Sequence, residues 1–407
     1  MKLLILSQYF WPENFRINDV VEGLAERGHA VTVYTGMPNY PGGRYYAGYG
    51  FLGPLRERYK AAEVRRAPLI PRGAGGGVRL ALNFLSHAVF ATILAPWLAR
   101  GRFDAILVYE PSPMTIGIPA RALRALKRAP LLFWVQDLWP ESLSATGAIK
   151  NRTVLGLVDR LIKWIYRGCD RVLVQSEAFI PSVEAHGVPR SRIRYLPNSA
   201  EKFYRRLAPD PSDAEARELP PGFRVMYAGN IGAAQDFPTI LAAAELLKRE
   251  SRIQWIVLGE GRMRSWVEGE VRRRGLQASV HLLGQRPPER MPRYYAHADV
   301  LLATLRREPI FAYTIPSKIQ AYIACGRPVI AALEGEGGRQ IREARAGWVV
   351  PPEDPRALAD TVVAASRMDK SELGRMGERG EAWFREHFER DRLLELLEAQ
   401  LEEAARA

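Results

Sequence analysis

The chain has 407 residues, more than one ordinary hydrophobic core accommodates, and this length predicts two domains of roughly 150–200 residues. Its composition of 47% hydrophobic and 25% charged residues is globular and excludes a disordered or fibrous protein. The net charge of +13 lies almost wholly in residues 1–200, which hold 26 Lys and Arg against 14 Asp and Glu, whereas residues 201–407 hold 32 against 31. This division indicates an anionic partner for the first half, namely a membrane surface, nucleic acid or a phosphorylated acceptor.

The first half alternates short apolar runs with helix-period segments. Residues 3–6 predict a buried strand, because no small-residue cleavage site follows the apolar start, and we therefore expect a cytosolic protein. Residues 18–27 predict an amphipathic helix. Further strands are predicted at residues 30–34, 104–109, 131–135 and 171–174.

The same pattern restarts after residue 220. Strands are predicted at residues 224–228, 254–258, 280–283, 300–303, 329–332 and 347–350. Strands separated by helices imply parallel pairing with helices on both faces of each sheet. The predicted fold class is therefore α/β, with two doubly wound, Rossmann-like halves in succession.

Two segments connect or extend these halves. Residues 207–222 are rich in Pro and acidic residues and predict a surface connection without strands. Residues 371–407 predict helix, either solvated with one apolar stripe or crossing back onto the first domain. We place the domains at 1–200 and 201–384, with a C-terminal helix at about 385–407 available to pack on the first.

Residues 78–99 are mostly apolar, but a transmembrane span would bury polar side chains such as Asn83 and His87 and would contain Pro96. An amphipathic helix packed on the domain or resting on a bilayer is the preferred interpretation. The upstream residues 56–79 carry seven Lys and Arg against two Glu, as binding to anionic lipid requires.

Ligands of open α/β sheets bind at the carboxyl ends of the strands, so the loops there are the candidate sites. Gly229 and Gly232 follow one predicted strand and allow a phosphate to approach the backbone. Glu260 lies in a tight turn after the next strand, and Arg286 lies in a loop able to present backbone groups to a base ring.

The segment from Thr314 to Lys318 gives the sharpest indication of a diphosphate pocket. Pro316 suits the start of a helix, and Ser317 is the predicted N-cap. Lys318 then places a cation beside a helix N-terminus, which is unfavourable unless an anion occupies the site.

The order of short motifs along the chain resembles glycosyltransferase family 4. These motifs are Pro-Glu, Leu-Ala-Glu-Arg-Gly-His-Ala-Val-Thr-Val, Leu-Pro-Asn, Tyr-Ala-Gly-Asn, Leu-Gly-Glu-Gly and Ala-Cys-Gly-Arg-Pro-Val-Ile-Ala. The resemblance implies the GT-B fold, in which two Rossmann-like domains face each other across a cleft, and retention of anomeric configuration. Tyr-Phe-Trp-Pro-Glu, Gln-Asp-Leu-Trp-Pro-Glu and Pro-Ser-Lys-Ile-Gln-Ala-Tyr resemble a bacterial O-antigen, capsule and colanic-acid subgroup, similar to N-acetyl-L-fucosamine transferases.

The donor site departs from that family pattern at four positions. Asn230 and Gln235 stand where many members carry Arg and Lys for the diphosphate. Tyr313 and Ala321 stand where many carry two glutamates for the sugar and ribose. Lys318 and Arg286 are the cations left to hold a diphosphate.

In family members, the catalytic-site histidine follows the strand that residues 131–135 of the first domain match. Asp137 lies in that place in this sequence, and it is the predicted catalytic residue. It is suited to stabilising positive charge on the sugar ring or orienting the acceptor hydroxyl, although an N-cap role is the alternative. The predicted acceptor-binding residues are Glu13, Arg16, Asn18, Trp139 and Glu141.

The resemblance implies a retaining hexosyl- or acetamidodeoxyhexosyltransferase using a nucleotide diphosphate sugar, with UDP favoured over GDP. The implied acceptor is a polyprenyl diphosphate-linked saccharide at the inner face of the cell membrane, and no nucleic-acid partner is expected. The sequence contains no Asp-x-Asp, so no metal is expected as cofactor. A nucleotide-sugar epimerase, a GDP-dependent fucosyl- or mannosyltransferase and a non-enzymatic adaptor remain the alternatives.

Overall fold

The computed structural model describes residues 1–73, 76–145, 149 and 151–406, and the chain divides into two compact units. The first unit comprises Met1–Pro197 with Asp391–Ala407, and the second comprises Asn198–Arg390. Residue 407, at the end of the predicted C-terminal helix, lies outside the described residues.

The first unit contains an eight-stranded sheet in the order β3-β4-β2-β1-β5-β6-β7-β8. Its strands are β1 (Lys2–Leu6), β2 (Ala30–Gly36), β3 (Arg56–Tyr59), β4 (Ala62–Ala67), β5 (Ala105–Glu110), β6 (Leu131–Val135), β7 (Arg171–Val174) and β8 (Ile193–Tyr195). All neighbours are parallel except β3 and β4. The expectation of a wholly parallel sheet is wrong at this edge, because a charged β3–β4 hairpin lies where only a basic flank was predicted.

Helices surround this sheet. They are α1 (Ile17–Glu26), α2 (Gly77–Leu98), α3 (Gly117–Lys127), α4 (Glu141–Ala145), α5 (Arg152–Arg167), α6 (Ile180–Ala185) and the C-terminal α16 (Arg390–Arg406). Leu394, Leu397 and Leu401 of α16 pack in one core cluster with Leu3 and Ile5 of β1. The last helix is therefore part of the core of the first unit.

Polar contacts fix α16 beside α1 and β2. Glu398 Oε2 is 3.2 Å from Arg27 Nη1, and Glu398 Oε1 is 2.7 Å from His29 Nε2. His29 Nδ1 also lies 3.1 Å from the amino group of Met1. His29 thus joins the N-terminus to the C-terminal helix, which is a structural role.

Helix α2 is long and apolar enough to cross a membrane by length and composition. One face packs on the sheet, where Asn83 is buried and accepts a hydrogen bond from Gln8 at 2.9 Å. The opposite face is apolar and exposed along its length, through Val78, Leu82, Leu85, Val89, Ile93 and Trp97. We call this set the α2 stripe.

The basic flank upstream of α2 is smaller than the sequence suggests. Arg66 is fully buried and binds Glu57, and Arg65 pairs with Glu63. The alternation of a β-strand turns these side chains inward or toward partners. Exposed cations of the flank include Arg58 and Arg79.

The second unit contains a six-stranded, wholly parallel sheet in the order β11-β10-β9-β12-β13-β14. Its strands are β9 (Phe223–Ala228), β10 (Ile253–Leu258), β11 (Val280–Gly284), β12 (Val300–Thr304), β13 (Val329–Ala332) and β14 (Gly347–Val350). Met226 packs in a core cluster on one face, and Val225 and Tyr227 pack in a cluster on the other. Burial on both faces explains why these strands are continuous apolar runs.

The helices of the second unit are α7 (Ala214–Arg217), α8 (Phe237–Leu246), α9 (Arg264–Arg274), α10 (Met291–Ala296), α11 (Pro309–Tyr313), α12 (Ser317–Ala324), α13 (Glu336–Glu343), α14 (Pro355–Ser366) and α15 (Lys370–His387). The predicted connection at residues 207–222 contains α7 and packs on this unit. Its Glu215 is buried and binds Arg290 at 2.7 Å.

Candidate functional site

The loops at the carboxyl ends of β9, β10 and β11 form one hydrogen-bonded rim in the second unit. Gly229 N–H donates to Leu258 at 2.8 Å, and Gly259 N–H donates to Gly284 at 2.9 Å. Ile231 N–H donates to Glu260 at 2.8 Å. The rim therefore has a backbone framework that holds its side chains in place.

Glycine is required where these loops meet. Gly259 has φ +154°, and a Cβ there would lie 1.8 Å from the carbonyl oxygen of Gly229. Gly261 has φ +159°, and its Cβ would lie 2.3 Å from the carbonyl oxygen of Ile231. The turn at residues 259–261 is thus built for close approach of the neighbouring loop.

Lys318 lies against the same rim. Its Nζ is 4.0 Å from the centroid of the Tyr227 ring and donates a hydrogen bond to the Tyr227 hydroxyl. That hydroxyl donates to the carbonyl of Asn230 at 2.6 Å. Gly229 has φ +132°, and a Cβ at this position would lie 2.5 Å from Lys318 Cε. The structure therefore brings the predicted glycine loop and Lys318 together.

The ammonium group of Lys318 has no carboxylate partner among the described residues, and Tyr227 meets it with a ring face and a hydroxyl. Burial lowers the pKa of Lys318 to about 7. A neighbouring anion would favour the charged form of this lysine, so the site is electrostatically ready for one.

Other predicted donor residues lie nearby with partners of their own. Arg286 is held by Glu218 at 2.6 Å and by the Tyr294 hydroxyl at 2.9 Å, and Glu260 pairs with Arg264. These ion pairs engage Arg264 and Arg286, whereas Lys318 has no carboxylate partner among the described residues.

The side chains of Asn230 and Gln235 approach each other, with Asn230 Nδ2 3.4 Å from Gln235 Oε1. A Cβ on Gly232 would lie 2.6 Å from that Nδ2, so Gly232 leaves room for them. Thr304 at the end of β12 donates to the carbonyl of Gln235, which ties the β12 loop to the rim. Thr314 hydroxyl donates to the carbonyl of Phe311 at 3.3 Å.

The predicted N-cap of α12 is wrong by one residue. Pro316 has extended backbone angles and is the N-cap, whereas Ser317 is the first helical residue. Proline has no side-chain acceptor, so this helix start has no side-chain cap hydrogen bond from its N-cap residue.

In the first unit, the residues after β6 form a second polar cluster. Asp137 Oδ2 accepts hydrogen bonds from Trp139 Nε1 and Ser142 Oγ, each at 3.2 Å. Burial raises the pKa of Asp137 to about 6. Glu141 accepts a hydrogen bond from Ser182, and the ring of Trp139 is buried. Asp137, Trp139 and Glu141 are thus neighbours at the carboxyl edge of the sheet.

Glu110, the last residue of β5, belongs to this cluster and was not predicted from the sequence. It is fully buried, and the backbone N–H groups of Asp137, Gln136 and Ser112 approach its carboxylate without full hydrogen-bond geometry. Burial and the charge of Asp137 raise the pKa of Glu110 well above its ordinary range. An acidic residue ending an apolar strand at the carboxyl edge is the signal that would have identified it.

The loop after β1 is organised by two predicted acceptor residues. Glu13 is fully buried and accepts from the N–H groups of Tyr40 at 2.7 Å, Asn39 at 2.8 Å and Phe10 at 3.2 Å. Asn18 accepts from Trp11 N–H at 3.1 Å. In this structure both side chains shape the loop from within.

The same loop carries aromatic side chains and cations. Arg16 is half-buried at the start of α1. Arg72 lies over the rings of Tyr40 and Tyr9, with centroid distances of 4.9 and 5.8 Å. Sequence reasoning placed Arg72 in the lipid-binding flank, whereas the structure places it at this loop.

Within the described residues, no group of three or more His, Cys, Asp or Glu side chains is arranged to hold a metal ion. Cys169 and Cys325 are both buried and free.

Comparisons with known proteins cover both units. Residues 14–199 match the family described as "Glycosyl transferase 4-like domain", and residues 222–367 match "Glycosyl transferases group 1". The chain is 32% identical to "Probable glycosyltransferase WbjE" of Pseudomonas aeruginosa, over 68% of this chain and 70% of the relative. It is 25% identical to WcaI of Escherichia coli (strain K12), named for colanic acid biosynthesis, over 82% and 84% of the two chains.

Among solved structures, Anabaena Alr3699/HepE in complex with UDP has a TM-score of 0.70 to this chain at 16% identity. The alignment covers 99% of this chain and 100% of that one. This likeness shows the fold: two Rossmann-like parallel sheets with helices, as in GT-B proteins. The fold class expected from the sequence is confirmed.

The buried carboxyl group of Glu110 predicts a specific pH effect on stability. As pH rises, Glu110 ionises in the unfolded chain while its raised pKa keeps it protonated in the folded protein, so the free energy of unfolding of the wild type falls. Glu110→Gln lacks this loss and should gain stability relative to the wild type as pH rises from 5 to 8. Thermal unfolding at both pH values measures the difference. The exposed Glu184→Gln on α6 is the matched control and should track the wild type; the same behaviour from Glu110→Gln would refute the assignment.

Proposed function

The chain belongs to glycosyltransferase family 4, and on that premise we propose that it transfers a hexose or amino-deoxyhexose from a nucleotide diphosphate sugar, with UDP as the nucleotide, to a lipid-linked saccharide. The similarity to WcaI, named for colanic acid biosynthesis, supports a role in bacterial cell-surface polysaccharide assembly. The fold similarity to a protein solved with UDP supports the choice of nucleotide.

The observation that carries this proposal is the placement of Lys318. Its ammonium group lies against the glycine loop without a carboxylate partner in the described structure. A diphosphate bound at the rim supplies the missing negative charge, and the N-terminus of α12 adds backbone N–H donors. The second unit is therefore the proposed donor-binding unit.

Lys318 serves transfer as well as binding. When the bond between the sugar and the diphosphate breaks, negative charge grows on the leaving phosphate. An ammonium group held in a water-poor site stabilises that charge more strongly than one in bulk solvent. No divalent metal is needed in this scheme, because lysine and backbone dipoles take that role.

In the first unit, we assign Asp137 to the catalytic centre. Its carboxylate is held by Trp139 and Ser142, so its orientation is fixed. An ionised Asp137 stabilises positive charge on the sugar ring or orients the acceptor hydroxyl, and the donor's diphosphate accepts the hydroxyl proton in a front-face, retaining transfer. Arg16 and Arg72 are the proposed cations for an acceptor phosphate.

The α2 stripe supports membrane association. Its side chains form an apolar face on a helix otherwise packed on the first unit, and Arg58 and Arg79 are exposed basic residues of the segment that precedes or begins this helix. Apolar residues beside cations match an anionic bilayer surface. We propose that α2 lies in the membrane interface, where the lipid-linked acceptor resides.

Lys318→Met should weaken UDP binding about 10- to 100-fold, because it removes a charge-assisted contact to the diphosphate. Isothermal titration calorimetry measures the affinity. Lys248→Met, which removes an exposed lysine of the same unit, is the matched control and should bind as the wild type does. Equal affinity in the two variants would contradict the donor-site assignment.

Asp137→Asn should lower kcat by about 10²–10³ while leaving UDP affinity unchanged. Wild-type activity should fall as pH drops below about 6, because Asp137 becomes protonated, and the variant should lack this limb. Asp104→Asn, at the opposite edge of the same sheet, is the control. A wild-type rate for Asp137→Asn would remove the residue from the mechanism.

Val89→Asp with Ile93→Asp should reduce binding to anionic phospholipid vesicles at least about tenfold, since charged groups are costly in an apolar interface. These side chains are 52% and 57% exposed, so the changes should spare folding. Vesicle cosedimentation measures binding, with Leu246→Asp, 53% exposed in the second unit, as control. Undiminished binding would exclude α2 as the contact.

A further inference from the structure

The second unit holds a cavity of about 970 Å³ at the amino ends of β9, β12 and β13. Its size lies in the range of small-molecule sites. The proposed donor site lies at the carboxyl ends of the strands, roughly 20 Å away along a six-residue strand. The cavity is therefore a separate place on the same unit.

Cationic side chains dominate the walls of this cavity. They are Arg206, Arg224, Arg327, Lys370 and Arg385, whereas the acidic residues that line it are Asp299 and Glu381. Arg206 is 3.0 Å from Glu378, and Arg385 binds Glu381. Arg224, Arg327 and Lys370 remain against the one carboxylate of Asp299, so the walls keep a net positive charge.

Arg224 and Arg327 are fixed without being neutralised by a salt bridge. Arg224 donates to the carbonyls of Pro220 at 2.9 Å and His297 at 3.2 Å, and Arg327 donates to the carbonyl of Ala296. Arg327 Nε is buried and has no hydrogen-bond partner among the described residues. Carbonyl contacts orient a guanidinium without neutralising it, and Asp299 is the nearby carboxylate that attracts Arg327.

A glycine leaves space in the wall formed by α15. Gly374 lies one turn after Lys370, and a Cβ added there would meet no atom within 4 Å. Because glycine is a poor helix former, its presence inside an 18-residue helix is not explained by helix stability. A side chain at this position would start from the cavity wall, with open space around its Cβ.

We propose that this cavity binds a small polyanion carrying a phosphate or pyrophosphate group. Guanidinium groups match phosphate oxygens in geometry and charge, and the exposed Lys370 adds a third cation. The ligand would occupy the amino edge of the sheet, apart from the nucleotide diphosphate at the carboxyl edge. This site is independent of the proposed transferase chemistry.

Calorimetric titration with inorganic pyrophosphate tests the proposal on the full chain. The titration uses the Lys318→Met variant, in which pyrophosphate binding at the proposed donor site is weakened. This variant should retain one pyrophosphate site, in the cavity. Adding Gly374→Leu should weaken that binding at least about tenfold, because the new side chain enters the cavity one turn from Lys370, while leucine favours the helix. Lys370→Gln should weaken it as well.

Gly269→Leu in α9 is the matched control, since a Cβ there also meets no atom within 4 Å and lies outside the cavity. It should leave pyrophosphate affinity unchanged. Thermal unfolding checks that Gly374→Leu is folded. Absence of a pyrophosphate site in Lys318→Met, or equal affinities with and without Gly374→Leu, would overturn the proposal.

Discussion

The ammonium group of Lys318 sits where water is largely removed and where no carboxylate of the described residues neutralises it. A lysine in such a place keeps its charge only if something nearby is negative, and its pKa of about 7 reflects that condition. The end of β9 and the loop after it accommodate this group. Gly229 has no side chain to clash with Lys318, and Tyr227 contacts the ammonium group with its ring face and its hydroxyl.

The loops around Lys318 are held in fixed positions. An unpaired cation binds an anion most strongly when the surrounding groups need not rearrange on binding. Backbone hydrogen bonds between the loops after β9, β10 and β11 supply that rigidity, and glycines at residues 259 and 261 allow the loops to touch. Nearby, Arg286 is paired with Glu218, whereas Lys318 has no carboxylate partner among the described residues.

The division of charge also changes once the fold is known. The C-terminal helix is acidic and packs on the first unit, which then holds 28 Lys and Arg against 19 Asp and Glu, while the second holds 30 against 26. The excess of the first unit is smaller than the halves of the sequence suggest. What supports a membrane role is thus the local α2 stripe with its exposed arginines, more than the overall charge.

Apolar runs predicted the central strands well, because strands buried on both faces leave a strong pattern. The hairpin β3–β4 was missed because alternating charged residues on an edge hairpin resemble a solvated segment. Pairings such as Arg286 with Glu218 join residues 68 positions apart, which spacing along the chain does not reveal. Glu110 was missed because its proximity to Asp137, which follows the neighbouring strand β6, depends on the order of strands in the sheet.

Proton uptake on UDP binding tests the central role of Lys318 most directly. Calorimetry at pH 8 in buffers of different ionisation enthalpy measures the number of protons taken up. With a free pKa of about 7, Lys318 is mostly neutral at that pH and must gain a proton to meet the diphosphate, so the account predicts uptake approaching about one proton. Uptake near zero, or equal uptake by wild type and Lys318→Met, would contradict it.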